Sequence, residues 1–144
     1  MADLPKGRVL GVDAGTVRTG IAVSDETGFL ARAVCTVKAK GKRDLAAQIS
    51  AKAAEFSVRL IVMGNPINMN GTRGESADRI QKLAEAVREA SGIDVVLFDE
   101  RCTTMAAAQI LNLTDTRNEK RKAIIDPLSA EIILQNYLDS ERRK

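Results

Sequence analysis

Two apolar segments joined by a glycine-bearing turn constrain the fold of this chain more than any other feature. They cover residues 9–13 and 20–25, with Gly15 in the turn between them. Each is short, continuous and apolar, which is typical of a buried β-strand. Asp13 therefore ends a strand that has little other access to water. Its charge must be compensated by a metal ion, a basic partner or a turn hydrogen bond.

The order of elements after this pair predicts an α/β fold. Alternating apolar residues between Phe29 and Val37 predict a third strand, which completes an antiparallel meander. The next predicted elements are helix 43–56, strand 59–64, helix 75–90, strand 94–98, a helix from Thr103 or Thr104 to Leu111, and a helix that begins at Pro127. We expect one domain over residues 1–144, with a five-stranded mixed sheet (three antiparallel strands, then two parallel) and helices on both faces.

Composition excludes several classes of site. The chain has no histidine, which removes Ser-His and Cys-His nucleophile pairs and His-ligated zinc. Its two cysteines, Cys35 and Cys102, are too few for a disulfide framework, and we interpret both as small buried hydrophobic residues. The net charge of +3 permits a polyanionic partner. Chemistry must rest on carboxylates, Lys, Arg, Ser, Thr or bound metal.

Targeting signals are not evident in the sequence. No apolar run approaches the roughly 20 residues that a membrane span needs, and the first residues lack the pattern of a signal peptide. We therefore expect a cytoplasmic protein without a membrane partner.

Acidic and polar residues follow three of the predicted strands. Asp13 ends the first strand, the polar segment 64–71 follows the fourth, and Asp99 and Glu100 follow the fifth. Functional groups of such sheets gather at the carboxyl ends of the parallel strands. Because adjacent residues of a strand face opposite ways, only one of Asp99 and Glu100 can easily enter a shared site.

Four motifs in order resemble one known family across nearly the whole chain. They are Asp-x-Gly-Thr with Gly-Ile-Ala-Val-Ser-Asp over 13–25, the segment 64–71, Asp-Glu-Arg-Cys-Thr-Thr over 99–104, and Ile-Asp at 125–126 followed by 130–138. The chain is similar to the YqgF-type Holliday junction resolvases, also described as pre-16S ribosomal RNA nucleases, which have an RNase H-like fold. The resemblance implies Asp13, Glu100 and Asp126 as the catalytic acids. Val17 and Pro127 depart from the family pattern.

Three carboxylates in one cleft repel one another unless a cation lies between them or some are protonated. Oxygen-only ligands suit Mg²⁺ or Mn²⁺, and such ions generate a nucleophile from bound water without histidine. We therefore expect a metal-dependent endonuclease that acts on structured nucleic acid, either precursor rRNA or branched DNA. Cleavage of a junction requires two sites, which favours a homodimer.

Each acid also has a structural interpretation. Asp13 can stabilise the bend through Gly15 as an Asx-turn. Glu100 can pair with Arg101 or cap the next helix. Asp126, followed by Pro127 at the first position of the predicted helix, has the pattern of an N-cap.

The candidate nucleic-acid contacts are basic and amide side chains. Arg18, Arg73 and Arg101 can grip phosphate oxygens, although simple solvation explains each equally well. Asn68 lies with Asn65 and Asn70 in a loop that can hold a nucleic-acid backbone or merely form turns. Aromatic residues make up 3% of the chain, which favours recognition of backbone and shape over base stacking.

Two other functions fit parts of the sequence. The turn at 13–16 also resembles the first phosphate loop of actin-like ATPases and sugar kinases, but the chain is short for their second domain. A nucleic-acid-binding factor without catalysis is the other alternative, and nothing in the sequence excludes it.

Overall fold

Five strands and three helices form the part of the chain that the computed structural model describes, residues 7–15, 18–66, 75–100 and 118–143; at 66, 75–77, 100 and 118–126 the description covers the backbone. The elements are β1 Arg8–Ala14, β2 Arg18–Ser24, β3 Ala31–Lys38, α1 Lys42–Glu55, β4 Val58–Pro66, α2 Glu75–Ser91, β5 Val95–Glu100 and α3 Asn118–Arg142. None of these helices is long and apolar enough to cross a membrane.

The strands form one mixed sheet in the order β3-β2-β1-β4-β5. β1 and β3 both pair antiparallel with β2, whereas β1, β4 and β5 run parallel. This confirms the predicted meander followed by two parallel strands. The register sets Val12 beside Met63 and Asn65 beside Asp99, so the carboxyl ends of β1, β4 and β5 meet at one edge of the sheet.

Helices cover both faces, as predicted, because apolar side chains alternate between two cores. One face of the sheet packs against α1 and α2, and its buried residues include Leu10, Val12, Ile49, Ile61 and Leu83. The other face packs against α3, with Val9, Val62, Ala130, Ile133 and Leu134. Successive residues of β1 and β4 therefore serve opposite cores, which explains why both strands are continuously apolar.

Two glycines let α3 approach the sheet closely. A Cβ atom on Gly11 would lie 2.7 Å from Cβ of Leu134, and one on Gly64 would lie 2.6 Å from Cδ1 of Ile133. Real Cβ atoms essentially never come within 3.0 Å of such a neighbour. Any larger residue at 11 or 64 would therefore have to move the helix or distort the strand.

Side chains of α3 also bind the edge strand β3. Glu131 Oε1 accepts the amide of Ala33 at 3.0 Å, and Gln135 Oε1 accepts the amide of Ala31 at 2.9 Å. Because the later helix residue meets the earlier strand residue, α3 runs antiparallel to β3 and thus to β1. The beginning of α3 therefore lies toward the carboxyl end of β1.

The last helix differs from the sequence prediction at its start. α3 begins at Asn118, and Pro127 lies inside it. The predicted N-cap at Asp126 is therefore wrong, because this residue is within the helix. Proline is favourable at the first position of a helix, whereas inside a helix, as here, it removes one backbone hydrogen bond. Pro127 is buried, so tertiary packing outweighs the local preference.

Other boundaries also shift. β4 and β5 extend to Pro66 and Glu100, beyond the predicted ends at 64 and 98, because the parallel ladder continues to their last residues. β3 begins at Ala31, and Phe29 is exposed rather than part of the strand. The helix predicted from Thr103 or Thr104 to Leu111 lies outside the described residues.

We expect Gly64→Ala to destabilise the protein by about 1–3 kcal/mol, the usual range for forced overpacking. Its Cβ would collide with Cδ1 of Ile133, the atom that Ile133→Val removes. The free energy of unfolding, measured in urea, should therefore show that the double variant loses less stability than the sum of the two single variants. Additive losses would contradict the proposed contact.

The turn between β2 and β3 generates a pH-dependent prediction. Hydrogen bonds from the Phe29 amide, then from Thr27 and Leu30, hold the pKa of Asp25 below its ordinary value. A lowered pKa in the folded state stabilises the fold above the ordinary pKa of about 4, and that stability is lost as the pH falls through the folded value.

Asp25→Ala should therefore lower the free energy of unfolding at pH 7 by about 0.5–1.5 kcal/mol, the usual net effect of lost hydrogen bonds. The difference between the free energies of unfolding of wild type and variant should become smaller below pH 4. Glu26→Gln is the matched control, because the described contact of the Glu26 side chain is a 3.7 Å surface ion pair with Arg8. If both variants lost the same free energy of unfolding with the same pH dependence, the role of Asp25 would be refuted.

Candidate active site at the carboxyl end of the central strands

Asp13 lies near the carboxyl end of β1, on the face of the sheet that α3 covers. Its neighbours Val12 and Ala14 belong to the core on the opposite face, and strand alternation puts Asp13 on the same side as Gly11. Asp13 is half-buried and stands opposite Gly20 of β2. Asp13 is thus two residues beyond Gly11, toward the carboxyl end of β1, on the face against which α3 packs closely.

The turn after Asp13 is closed by backbone pairing. The Gly15 amide donates to the carbonyl of Arg18 at 2.9 Å. This backbone bond contributes to the stability of the bend, and the Asx-turn hypothesis for Asp13 stays a prediction beside it. Arg18 itself is half-buried at the start of β2, close along the chain to the candidate site.

The two acids that end β5 have different positions. Asp99 is on the side away from α3, where its Oδ1 accepts a hydrogen bond from Nδ2 of Asn65 at 2.8 Å. Glu100 is the last residue of β5 and pairs with Pro66 in the ladder. It follows Phe98 by two residues, and the ring of Phe98 meets Tyr137 of α3 edge to face at 5.8 Å. The contact of Asp99 with Asn65 therefore agrees with the sequence-based argument that adjacent acids of a strand face opposite sides of the sheet.

Asp126 lies in the half of α3 nearest the carboxyl end of β1. It precedes Ala130 by four residues and Ile133 by seven, and these two residues pack against the sheet. Residues with this spacing share one face of a helix. The close packing at Gly11 and Gly64 therefore holds the part of α3 that contains position 126 against the central strands.

The backbone thus brings positions 13, 100 and 126 toward one corner of the molecule. Among the side chains that the structure describes, no three acidic or cysteine groups come together as metal ligands. Those of Glu100 and Asp126 lie outside the described set. The three-acid site therefore stays a prediction.

Only some of the residues predicted to contact nucleic acid lie in the part of the chain that the structure describes. Asn68, Arg73 and Arg101 lie outside the described residues. The expectation that Asn65 belongs to an exposed binding loop is wrong: it is in β4, 2% exposed, and bonded to Asp99. The continuing ladder between β4 and β5 buries this amide before the chain leaves the sheet.

Arg79 is a positioning residue that the sequence analysis missed. From α2 it donates through Nη2 to the carbonyl of Ala14 at 3.2 Å and through Nη1 to that of Gly15 at 3.4 Å. It therefore holds the two peptide groups directly after Asp13 from the far side of the sheet. No local pattern marks it, because an arginine near the start of an amphipathic helix is usually solvated.

Comparison with known proteins connects this geometry to one family. A family model described as "RuvX: Holliday junction resolvase" matches residues 7–140. The protein named "Putative pre-16S rRNA nuclease" of Bacillus cytotoxicus is 41% identical over 136 residues, 93% of this chain and 99% of that one. The protein of the same name from Bacillus anthracis (strain A0248) is 43% identical over the same shares.

Solved structures show the same architecture. Thermus thermophilus RuvC in complex with a Holliday junction substrate gives a TM-score of 0.60 at 16% identity, over 96% of this chain and 97% of that one. The fowlpox virus resolvase with Holliday junction DNA gives 0.57 at 11% identity, over 93% and 98%. At these identities the likeness concerns the fold, and it confirms the predicted RNase H-like class.

We expect Arg79→Gln to loosen the turn after Asp13 while the core stays intact, because its hydrogen bonds are at the protein surface. Hydrogen exchange at the Gly15 amide should accelerate about tenfold, which corresponds to about 1.4 kcal/mol of local stability. Lys82→Gln on the same helix removes a charge that makes no hydrogen bond to this turn among the described residues, and it should leave that exchange rate unchanged. Similar acceleration in both variants would show that charge alone is responsible.

Proposed function

The chain belongs to the RuvX family of Holliday junction resolvases, and we propose that it is a divalent-metal-dependent endonuclease that hydrolyses phosphodiester bonds in structured nucleic acid. The family match covers residues 7–140. Relatives 41–43% identical over nearly their whole length carry the name of a pre-16S rRNA nuclease. We further propose that residues 1–144 act as a single nuclease domain.

The observation that carries the proposed site is the close contact of α3 with β1 and β4. At Gly11 and Gly64 the helix packs where only a hydrogen atom fits on the strand. Asp13 follows Gly11 by two residues on the same face, and Asp126 precedes by one helical turn the Ala130 that packs there. We propose that Asp13, Glu100 and Asp126 are the catalytic acids and hold the metal.

The donor set fits a hard cation. All three residues supply carboxylate oxygens, the chain contains no histidine, and Cys35 packs against the core on the opposite face. Such oxygen donors are the ligands that Mg²⁺ and Mn²⁺ prefer. A divalent ion bound there would supply an activated water and neutralise charge on the scissile phosphate.

The residues around the acids would orient the substrate. Arg79 holds the peptide groups after Asp13, which limits the movement of that carboxylate. We propose that Arg18, Asn68, Arg73 and Arg101 contact the phosphate backbone, because guanidinium groups bind phosphate oxygens in pairs and amides donate to them. Low aromatic content favours this backbone recognition over stacking of bases.

Precursor rRNA is the first substrate that we propose, because the relatives above 40% identity carry that name. Four-way DNA junctions are the second, since the family description and the more distant structures refer to them. We propose action in the cytoplasm, where precursor rRNA is available in bacteria such as those relatives, and a homodimer when the substrate is a junction with two strands to cut.

The central prediction separates two adjacent acids. Asp13→Asn and Glu100→Gln should each reduce cleavage of precursor rRNA or a four-way junction at least a hundredfold with Mg²⁺ or Mn²⁺, since a metal site contributes several kcal/mol to such chemistry. Asp126→Asn should act in the same direction. Asp99→Asn is the matched control: it retains an oxygen that can accept the Asn65 hydrogen bond, and it should cleave within a few-fold of wild type.

Other outcomes would contradict the assignment. Full activity in folded Asp13→Asn or Glu100→Gln protein would refute the acidic site, and equal losses in Asp99→Asn and Glu100→Gln would remove the distinction between the two acids. Metal-independent binding without cleavage would identify a non-catalytic binding factor. ATP hydrolysis that is lost in Asp13→Asn would instead favour the phosphate-loop alternative.

A further inference from the structure

A cavity of about 500 Å³ lies on the face of the sheet opposite the proposed acids. It is bounded by the turn at Gly15, the beginning of α1 and the exposed side of α2. Ala39, Leu45 and Leu83 form its apolar floor, and Lys42, Arg79 and Lys82 form its basic rim. We name it the α1–α2 cavity.

The α1–α2 cavity is distinct from the candidate active site. Leu45 and Leu83 belong to the core that α1 and α2 share with Val12 and Ala14. Asp13 lies between those two residues of β1 and therefore points to the other face, toward α3. A ligand in this cavity would consequently not touch the proposed catalytic carboxylates.

The charges around the cavity favour an anion. Three cationic side chains and one carboxylate, that of Asp78, line it. α1 begins here at Lys42, and its N-cap residue Gly41 supplies no side-chain cap, so amide groups of the first turn face the same end. The carboxylate of Asp44 is already engaged by the Lys40 amide and by Gln48.

A hydroxyl group also faces the cavity. Thr19 is one of the residues that line it and is 2% exposed as a whole. A hydroxyl can both donate and accept a hydrogen bond, so Thr19 adds a polar group to a lining that is otherwise basic or apolar on this side.

We propose that the α1–α2 cavity binds a nucleotide unit, with its phosphate between Lys42 and Lys82 and its less polar part on the floor formed by Leu45 and Leu83. The volume lies within the range of about 300–1,000 Å³ that is usual for small-ligand sites. The ligand is either a free mononucleotide or one nucleotide of a nucleic-acid chain, since both present the same chemistry. This proposal does not rest on nuclease activity.

The cavity is also connected to the turn after Asp13. Arg79 lines it while donating to the carbonyls of Ala14 and Gly15. A phosphate that attracts this guanidinium would compete with those two carbonyls. Occupancy of the cavity would therefore change hydrogen exchange at Gly15, a readout that a merely adventitious surface anion would not produce.

The test is titration of the full chain, with divalent ions removed, by each of the four ribonucleoside monophosphates. Their nucleosides, inorganic phosphate and a short single-stranded oligonucleotide serve as separate arms. We expect at least one mononucleotide or the oligonucleotide to bind at least tenfold more tightly than the nucleosides and inorganic phosphate. NMR shifts should map to Thr19, Leu45 and Leu83 rather than to Phe98 and Tyr137.

Two variants make the test specific. Lys82→Glu should weaken binding at least tenfold, whereas Arg143→Glu, with the same change in net charge directly after α3, should not. Thr19→Val removes the hydroxyl with little change in shape and should weaken binding several-fold. Both cavity positions are outside the proposed catalytic set, so cleavage at saturating substrate should persist.

Each outcome either identifies the ligand as a free nucleotide or part of a nucleic-acid chain, or contradicts the proposed site. Mononucleotide binding that Lys82→Glu weakens assigns a free nucleotide, and oligonucleotide binding with the same loss but no mononucleotide binding assigns a nucleotide of a chain. Equal effects of Lys82→Glu and Arg143→Glu, or shifts confined to the α3 face, would overturn the proposal. Binding of nucleotides no tighter than that of inorganic phosphate would overturn it as well, whether or not the chain proves to be a nuclease.

Discussion

The contact between α3 and two glycines of the sheet is the constraint on which the rest of the structure depends. Gly11 and Gly64 lie on adjacent parallel strands, and in each the missing Cβ leaves space that Leu134 or Ile133 fills. A helix this close needs little apolar area on either side to exclude water. It also has little freedom to slide, because both contacts must be kept at once. These two contacts therefore fix the position of α3 relative to the carboxyl ends of β1 and β4.

Hydrogen bonds from α3 extend this constraint to the edge of the sheet. Glu131 and Gln135 occupy two amides of β3 that would otherwise be open to another strand. Gln135 and Arg142 also donate to the carbonyl of Phe29, and the guanidinium of Arg142 stacks on its ring at 4.2 Å. Edge strands with unpaired amides invite association with other chains. The helix that contains Asp126 thus also protects this edge of the sheet.

Local pattern was sufficient to predict five strands, because alternation and continuous apolar runs report burial directly. The short turns and the intervening helices then predicted an antiparallel meander followed by two parallel strands. Local pattern failed where tertiary packing overrides a local preference. Pro127 favoured a helix start, but the helix begins at Asn118 and continues through this buried proline. Asn65 had the composition of a loop, yet the ladder to β5 extends over it and buries it. Arg79 and the close contact at Gly64 depend on residues far apart in the chain, which no local spacing reveals.

Strand alternation explains how a chain without histidine can assign different tasks to neighbouring acids. In β5 the first acid, Asp99, is engaged by Asn65 on the side away from α3. In β1 the residues on either side of Asp13 belong to the core beneath α1 and α2, and Asp13 lies on the other face with Val9 and Gly11. A site built from carboxylates in a chain without histidine would depend on bound metal rather than on an imidazole base. Its specificity must then come from position, and position here is set by the ladder and by Arg79, which holds the turn after Asp13 from behind. A substitution on the face of the sheet opposite Asp13 would therefore act on Asp13 through the two peptide groups that Arg79 holds.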